Sequence, residues 1–119
     1  QVNSILRKDS LDMTDADREL VRQAVEKDEN RHIVITHGTD TMVDTANQLK
    51  AIKGKVIVLT GAMEPAAFKS SDAFFNLGSA VAAVQILEEG VYIAINGKIF
   101  DPDKVQKDRS VMQFTETQK

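Results

Sequence analysis

The sequence predicts an α/β three-layer sandwich on a mostly parallel sheet. Three observations lead there. Short β-branched runs recur with almost no polar interruption, segments of helical apolar periodicity separate them, and the two kinds alternate along 119 residues. Continuous rather than alternating apolar runs suit strands covered on both faces. Alternation with helices suits right-handed crossovers between parallel strands.

The runs are HIVIT (32–36), KVIVLT (55–60) and VYIAIN (91–96), with a weaker candidate, VNSIL, at 2–6. Between them, Thr14 and Asp17 have the spacing of a capping box, with Asp in place of the usual Glu. Leu20, Val21, Ala24 and Val25 then form one stripe. A second helix is predicted from near Thr41 to before Gly54, carrying Met42, Ala46, Leu49 and Ile52 on one face. A third is predicted over roughly 72–89, with Phe74, Leu77, Val81 and Val84 at helical spacing and Gly90 after it. Residues 101–119 are polar and predicted irregular, apart from a short strand at VMQF. The order β-α-β-α-β-α-β gives a single domain with Rossmann-like or flavodoxin-like crossovers.

Composition narrows the function. Fifteen basic against 18 acidic residues give a net charge of −3 with no basic block, which argues against a nucleic-acid partner. The chain has no cysteine, which excludes disulfides and thiolate metal sites, and its two histidines are too poorly spaced for zinc. No apolar run approaches the roughly 18 residues of a membrane span, and no signal peptide is visible. A cytoplasmic setting is the default; export stays open because the chain starts at Gln1 rather than a methionine.

Ligands of parallel sheets bind beyond the carboxyl ends of the strands. Here those ends carry HGTD, TGAMEP and NGK, plus KDS if the first strand forms. In HGTD, Asp40 or Thr41 can cap the following helix, with Asp44 three residues beyond Thr41. Thr39 and Asp40 can equally offer a hydroxyl and a carboxylate to a ligand, the carboxylate suiting an ammonium group. Both readings hold together if Thr41 caps while Thr39 and Asp40 face outward. His37 reads as a structural hydrogen bonder more readily than as a catalyst. Gly38 and Gly61 read as turn residues, Asn96-Gly97 as a plain turn, and Lys107 as a solvated charge. TG at 60–61 lacks the lysine and spacing of a phosphate loop. Asp9 and Ser10 read as turn residues.

The combination HGTDTM and VIVLTGAM resembles the bacterial-type asparaginase/glutaminase family, whose second signature is a strand, His-Gly-Thr-Asp-Thr-Met and a helix. KDSLDMT is similar to its Asp-Ser-x-Asp-Met segment, SSDAFFNL to its Ser-x-Asp-Gly-x-x-Asn-Leu, and VQKDR falls where the family carries a catalytic lysine. The resemblance implies an amidohydrolase that cleaves the side-chain amide of asparagine, or of glutamine, with a threonine nucleophile. Carried over by position, Thr39 is one catalytic threonine. Lys107 pairs with Asp40 in a Thr–Lys–Asp group, Asp40 also holds the substrate ammonium, and Ser10 with Asp9 grips the substrate carboxylate. The resemblance implies no metal or cofactor, a small-molecule amide substrate, no membrane partner, and a homodimer or homotetramer.

The chain departs from the pattern in three ways. The family's opening Thr-Gly-Gly-Thr strand, with its other threonine, is not in the sequence, and its place would lie upstream of Gln1. The C-terminal domain is also missing, so residues 1–119 read as a single asparaginase-like N-terminal domain. Leu11 replaces a polar substrate contact, and Ala73 replaces a Gly. Two other readings stand beside hydrolysis: a catalytically inactive amino-acid-binding or sensor domain, and a subunit serving a transfer-RNA-dependent amidotransferase, against which the lack of a basic patch counts.

Overall fold

The computed structural model describes residues 12–62, 72–108 and 113–116, with the backbone alone at 107, 108 and 113. The candidate strand at 2–6 lies outside them. Helix α1 spans Asp15–Lys27, strand β1 His32–Thr36, α2 Met42–Leu49, β2 Val56–Thr60, α3 Ala73–Val84, β3 Gly90–Ile95 and β4 Lys98–Phe100. A 3-10 turn at Pro102–Lys104 leads into β5 (Val105–Asp108) and β6 (Gln113–Glu116).

The sheet order is β1-β2-β3-β4, with β1, β2 and β3 parallel and β4 antiparallel to β3. Alternate residues of β2 serve opposite layers. Ile57 and Leu59 pack with Val21 and Val25 of α1 and with Met42, Ala46 and Leu49 of α2. Val56 and Val58 pack with Ala80 and Val84 of α3. This two-sided burial explains why the run is uninterrupted in the sequence. The fold is the three-layer α/β sandwich with flavodoxin-like connections.

The predicted capping box is present: Thr14 Oγ1 accepts from the Asp17 N–H at 3.2 Å, and Asp17 Oδ2 accepts from the Thr14 N–H at 3.0 Å. Two of the predicted helix stripes need correction. On α1, Val21 and Val25 are buried but Leu20 is exposed, and Arg18 takes a buried place on the helix. On α3 the core side is Asn76, Ala80, Ala83 and Val84, while Phe74, Leu77 and Val81 point outward. The helix is apolar around nearly its whole circumference, so periodicity could not select the buried side.

The helices are also shorter than predicted. The last turn of α3 tightens, with the Ile86 N–H bonding the Ala83 carbonyl at 3.1 Å. After α2 the Ile52 N–H bonds the Leu49 carbonyl at 3.1 Å, before Gly54 turns the chain at φ +79°. Bonds of i to i−3 spacing mark the ends of both helices.

Two further features depart from expectation. Asn96 (φ +56°) and Gly97 (φ +74°) form a tight turn that returns the chain as β4, so the plain turn is a hairpin. Among the described residues of the tail, β5 and β6 make a second antiparallel ladder, which includes Gln113 and Phe114 of the VMQF candidate. Val105 and Phe114 anchor this hairpin in the α1/α2 layer, where Phe114 meets Phe100 with ring centroids 6.4 Å apart.

Candidate functional site

The carboxyl ends of β1 and β2 lie side by side, with Thr36 and Thr60 in register. One residue on, the His37 N–H still bonds the Thr60 carbonyl at 2.9 Å, so the ladder runs into the HGTD turn. The Thr60 hydroxyl donates to the Ala94 carbonyl of β3 at 2.7 Å, which ties the third strand to the same edge. Gly61 then passes so close to the end of β1 that a Cβ there would lie 2.2 Å from the His37 carbonyl oxygen, well inside van der Waals contact. Glycine is required at 61 for close approach, not for a tight turn alone.

The same edge is fastened from α3 by Asn76, whose side chain is fully buried. Its Nδ2 donates to the Gly61 carbonyl at 2.7 Å and to Asp72 Oδ2 at 2.9 Å. Its Oδ1 accepts from the Asn96 N–H at 3.0 Å. One amide thus joins the exits of β2 and β3 to the start of α3. Sequence reasoning missed this residue, although an amide within the apolar run AFFNLGSAV was the available signal: a buried amide requires partners.

His37 is held from both ring nitrogens. Nδ1 lies 2.6 Å from the Gly38 carbonyl and Nε2 2.8 Å from Thr45 Oγ1 of α2. A carbonyl only accepts, so Nδ1 carries the proton and Nε2 accepts from the Thr45 hydroxyl. Burial depresses the pKa of the imidazole, against the Gly38 hydrogen bond, and the Arg18 guanidinium adds to the depression. A neutral, doubly bonded ring splints the HGTD turn to α2, which is the structural role read from the sequence.

A cavity of about 330 Å³ opens beside these strand ends. Residues 36–38 and 60–62 form one side, and Ala73 and Leu77 of α3 form the other. No carboxylate or ammonium group is among these lining residues.

Thr39 is 6% exposed and Asp40 half-buried, and neither belongs to the cavity wall, which at this turn ends with Gly38. Thr41 holds the N-cap position of α2, but its side chain makes no capping bond. The backbone of Lys107 lies in β5, in register with Phe114 of β6. Met42, two residues after Asp40, and Val105, two before Lys107, belong to one buried cluster. Asp9, Ser10 and Leu11 lie outside the described residues. Among the described residues, no group of three or more His, Asp or Glu is placed to hold a metal ion, and no helix is long and apolar enough to cross a membrane.

Residues 1–115 match the family model described as Asparaginase, N-terminal. The chain belongs to this family. It is 41% identical over 92 residues to a glutaminase-asparaginase of Acinetobacter glutaminasificans, covering 73% of this chain and 28% of that protein. It is 39% identical over 85 residues to L-asparaginase 2 of Escherichia coli, covering 67% and 24%. A crystal structure of a probable cytoplasmic L-asparaginase from Campylobacter jejuni superposes with a TM-score of 0.84 at 37% identity, covering 94% of this chain and 38% of that one. This asparaginase-family chain therefore spans only about a quarter of the length of the two curated relatives.

Proposed function

We propose that the protein is an asparaginase-like amidohydrolase that converts the side-chain amide of L-asparagine, or of L-glutamine, to the acid and ammonia. The observation that carries this reading is the convergence of the HGTD turn, the Gly61 approach and the cavity on one sheet edge. Among the described residues the lining carries no carboxylate or ammonium group, which suits a neutral carboxamide, and backbone amides at strand ends are donors of the kind that a developing oxyanion needs.

In this reading Thr39 is one catalytic threonine, and Lys107 and Asp40 complete a Thr–Lys–Asp group. A threonine hydroxyl is a weak nucleophile until a base takes its proton. A neutral Lys107 amine accepts that proton while the threonine oxygen bonds the amide carbon. The C–N bond then breaks, and the departing nitrogen takes a proton and leaves as ammonia. Water attacks the resulting ester, giving the free acid and restoring the hydroxyl. Asp40 balances the transient charge on Lys107, and its carboxylate suits the substrate's α-ammonium. Ser10 and Asp9 would hold the α-carboxylate. Partial desolvation is what lowers a lysine pKa far enough for base work. The reading involves no metal or cofactor, a homodimer or homotetramer, and a cytoplasmic setting.

The burial of Thr39 favours one alternative, a domain of the same fold that binds an amino-acid amide without turning it over. Ammonia release decides between them. The intact protein is expected to liberate ammonia from L-asparagine, and Lys107→Met to abolish release at an unchanged melting temperature. Tight amino-acid binding without ammonia would establish the binding domain instead.

A further inference from the structure

The hairpin that carries Lys107 is held to the domain by side chains. Among the described residues, backbone ladders join β5 to β6 alone, while β1 to β4 form a separate sheet. A two-stranded hairpin by itself is marginal in water, so its place depends on what it packs against. Val105 and Phe114 enter the buried cluster that holds Met42, Ala46 and Leu49 of α2, and Pro102, in the turn before β5, is fully buried. Apolar burial of this kind fixes depth, but it is non-directional and does little to choose a register along the helix.

Lys50 supplies the direction. It is the C-cap residue of α2. Its ammonium donates to Asp101 Oδ1 at 3.0 Å and to Asp103 Oδ2, the carboxylates on either side of Pro102. Asp101 Oδ1 also accepts the Asp103 N–H at 2.9 Å, which closes the 3-10 turn. That N–H and the Lys50 ammonium together hold the Asp101 carboxyl below the ordinary carboxylate range. One helix therefore touches both halves of the proposed Thr–Lys–Asp group. Thr39 and Asp40 immediately precede its N-cap, Thr41, and Lys50 at its other end grips the turn that leads into β5. The lengths agree. From Thr41 to Lys50 the helix rises about 14 Å, and from Asp103 to Lys107 an extended chain covers at most about 13 Å.

We propose that Lys50 is a positioning residue: its grip on Asp101 and Asp103 sets where β5 runs along α2 and so holds position 107 level with Thr39 and Asp40. The inference rests on the reading of Lys107 as the base, and Lys50 acts through the turn without touching substrate. Exposed ion pairs add little to stability, whereas misplacing a catalytic group by about 1 Å costs on the order of 100-fold in rate. The signature of this role is lost turnover in a protein that stays folded.

Two readouts on the intact protein test it. The chain has no cysteine, so spin labels on Asp44→Cys and Gln106→Cys, both exposed, report the distance between α2 and β5. Lys50→Met should broaden a narrow distance distribution. Lys50→Arg should restore it, because a guanidinium can bond two carboxylates. Lys53→Met, which removes the same charge from an exposed site three residues on, should leave it unchanged. In unlabelled protein, Lys50→Met should lower kcat for ammonia release from L-asparagine by on the order of 10- to 100-fold at a nearly unchanged melting temperature. KM should stay within about twofold, since Asp9, Ser10 and Asp40 are the groups read as holding the substrate. A distance distribution indifferent to Lys50→Met overturns the proposal, as does full turnover in a variant whose distribution has broadened, or an equal loss in Lys53→Met. A wild-type protein that releases no ammonia fails the amidohydrolase reading instead, and the labels alone then decide the clamp.

Discussion

Asn76 Nδ2 and the Gly61 carbonyl oxygen lie 2.7 Å apart, which fixes the exit of β2 from a helix fifteen residues downstream. The other end of the same amide accepts the Asn96 N–H at the exit of β3. Removing the side chain would take away the partner of both backbone groups and leave a hole at a fully buried position. Asn76→Ala is expected to cost about 2–4 kcal/mol, read as a lower midpoint in urea. Asn76→Asp should cost at least as much, because a carboxylate would face the Gly61 oxygen and Asp72 without protons to donate. A near-neutral aspartate would show that the donors at this amide are dispensable.

The packing of Gly61 against β1 gives a second expectation. Gly61→Ala forces the β2 exit away from the His37 carbonyl and should destabilise by about 2 kcal/mol or more. Gly54→Ala meets no neighbour and bears only the strain of a positive φ, about 1–2 kcal/mol. The comparison separates crowding from backbone strain, and equal losses would contradict the close approach at 61.

His37 predicts a pH dependence of known sign. Its folded pKa is depressed by burial, so the unfolded chain takes up the proton first, near the ordinary imidazole value of about 6.5. The stability that the neutral ring contributes is complete above that value and declines as pH falls below it toward the folded pKa. Between pH 7.5 and 5.5 the melting temperature of the wild-type protein should fall more than that of His37→Gln. Parallel profiles would mean that the ring is not held neutral in the folded state.

Much of the fold was legible in the residues, for reasons that also explain the misses. The runs at 32–36, 55–60 and 91–96 are apolar throughout because both faces are covered, and each became a parallel strand. The Thr14–Asp17 spacing worked because capping is local chemistry. The outward stripe of α3 misled because an uncharged helix gives the hydrophobic pattern no direction. β4 is only three residues long, so its pattern alone does not mark a strand, although Asn-Gly between two short apolar runs is the strongest short hairpin signal. At the site, the HGTD turn and its histidine could be read from sequence. Asn76 could not be placed without knowing that 61 and 96 converge. On the sequence reading Thr39 and Asp40 can both face outward; the structure leaves Thr39 6% exposed and Asp40 half-buried. The roles of Asp9, Ser10, Thr39, Asp40 and Lys107 rest on the family pattern and on the proposal built from it.

Ammonia release by position-39 variants tests that proposal most directly. The intact wild-type protein should release ammonia from L-asparagine. Thr39→Ala should abolish release while unfolding in urea at nearly the same midpoint, and Thr39→Ser, which restores an oxygen at the same place, should recover part of the rate. Turnover retained in Thr39→Ala, or equal loss in the serine and alanine variants, would contradict a threonine hydroxyl at this turn as part of the chemistry.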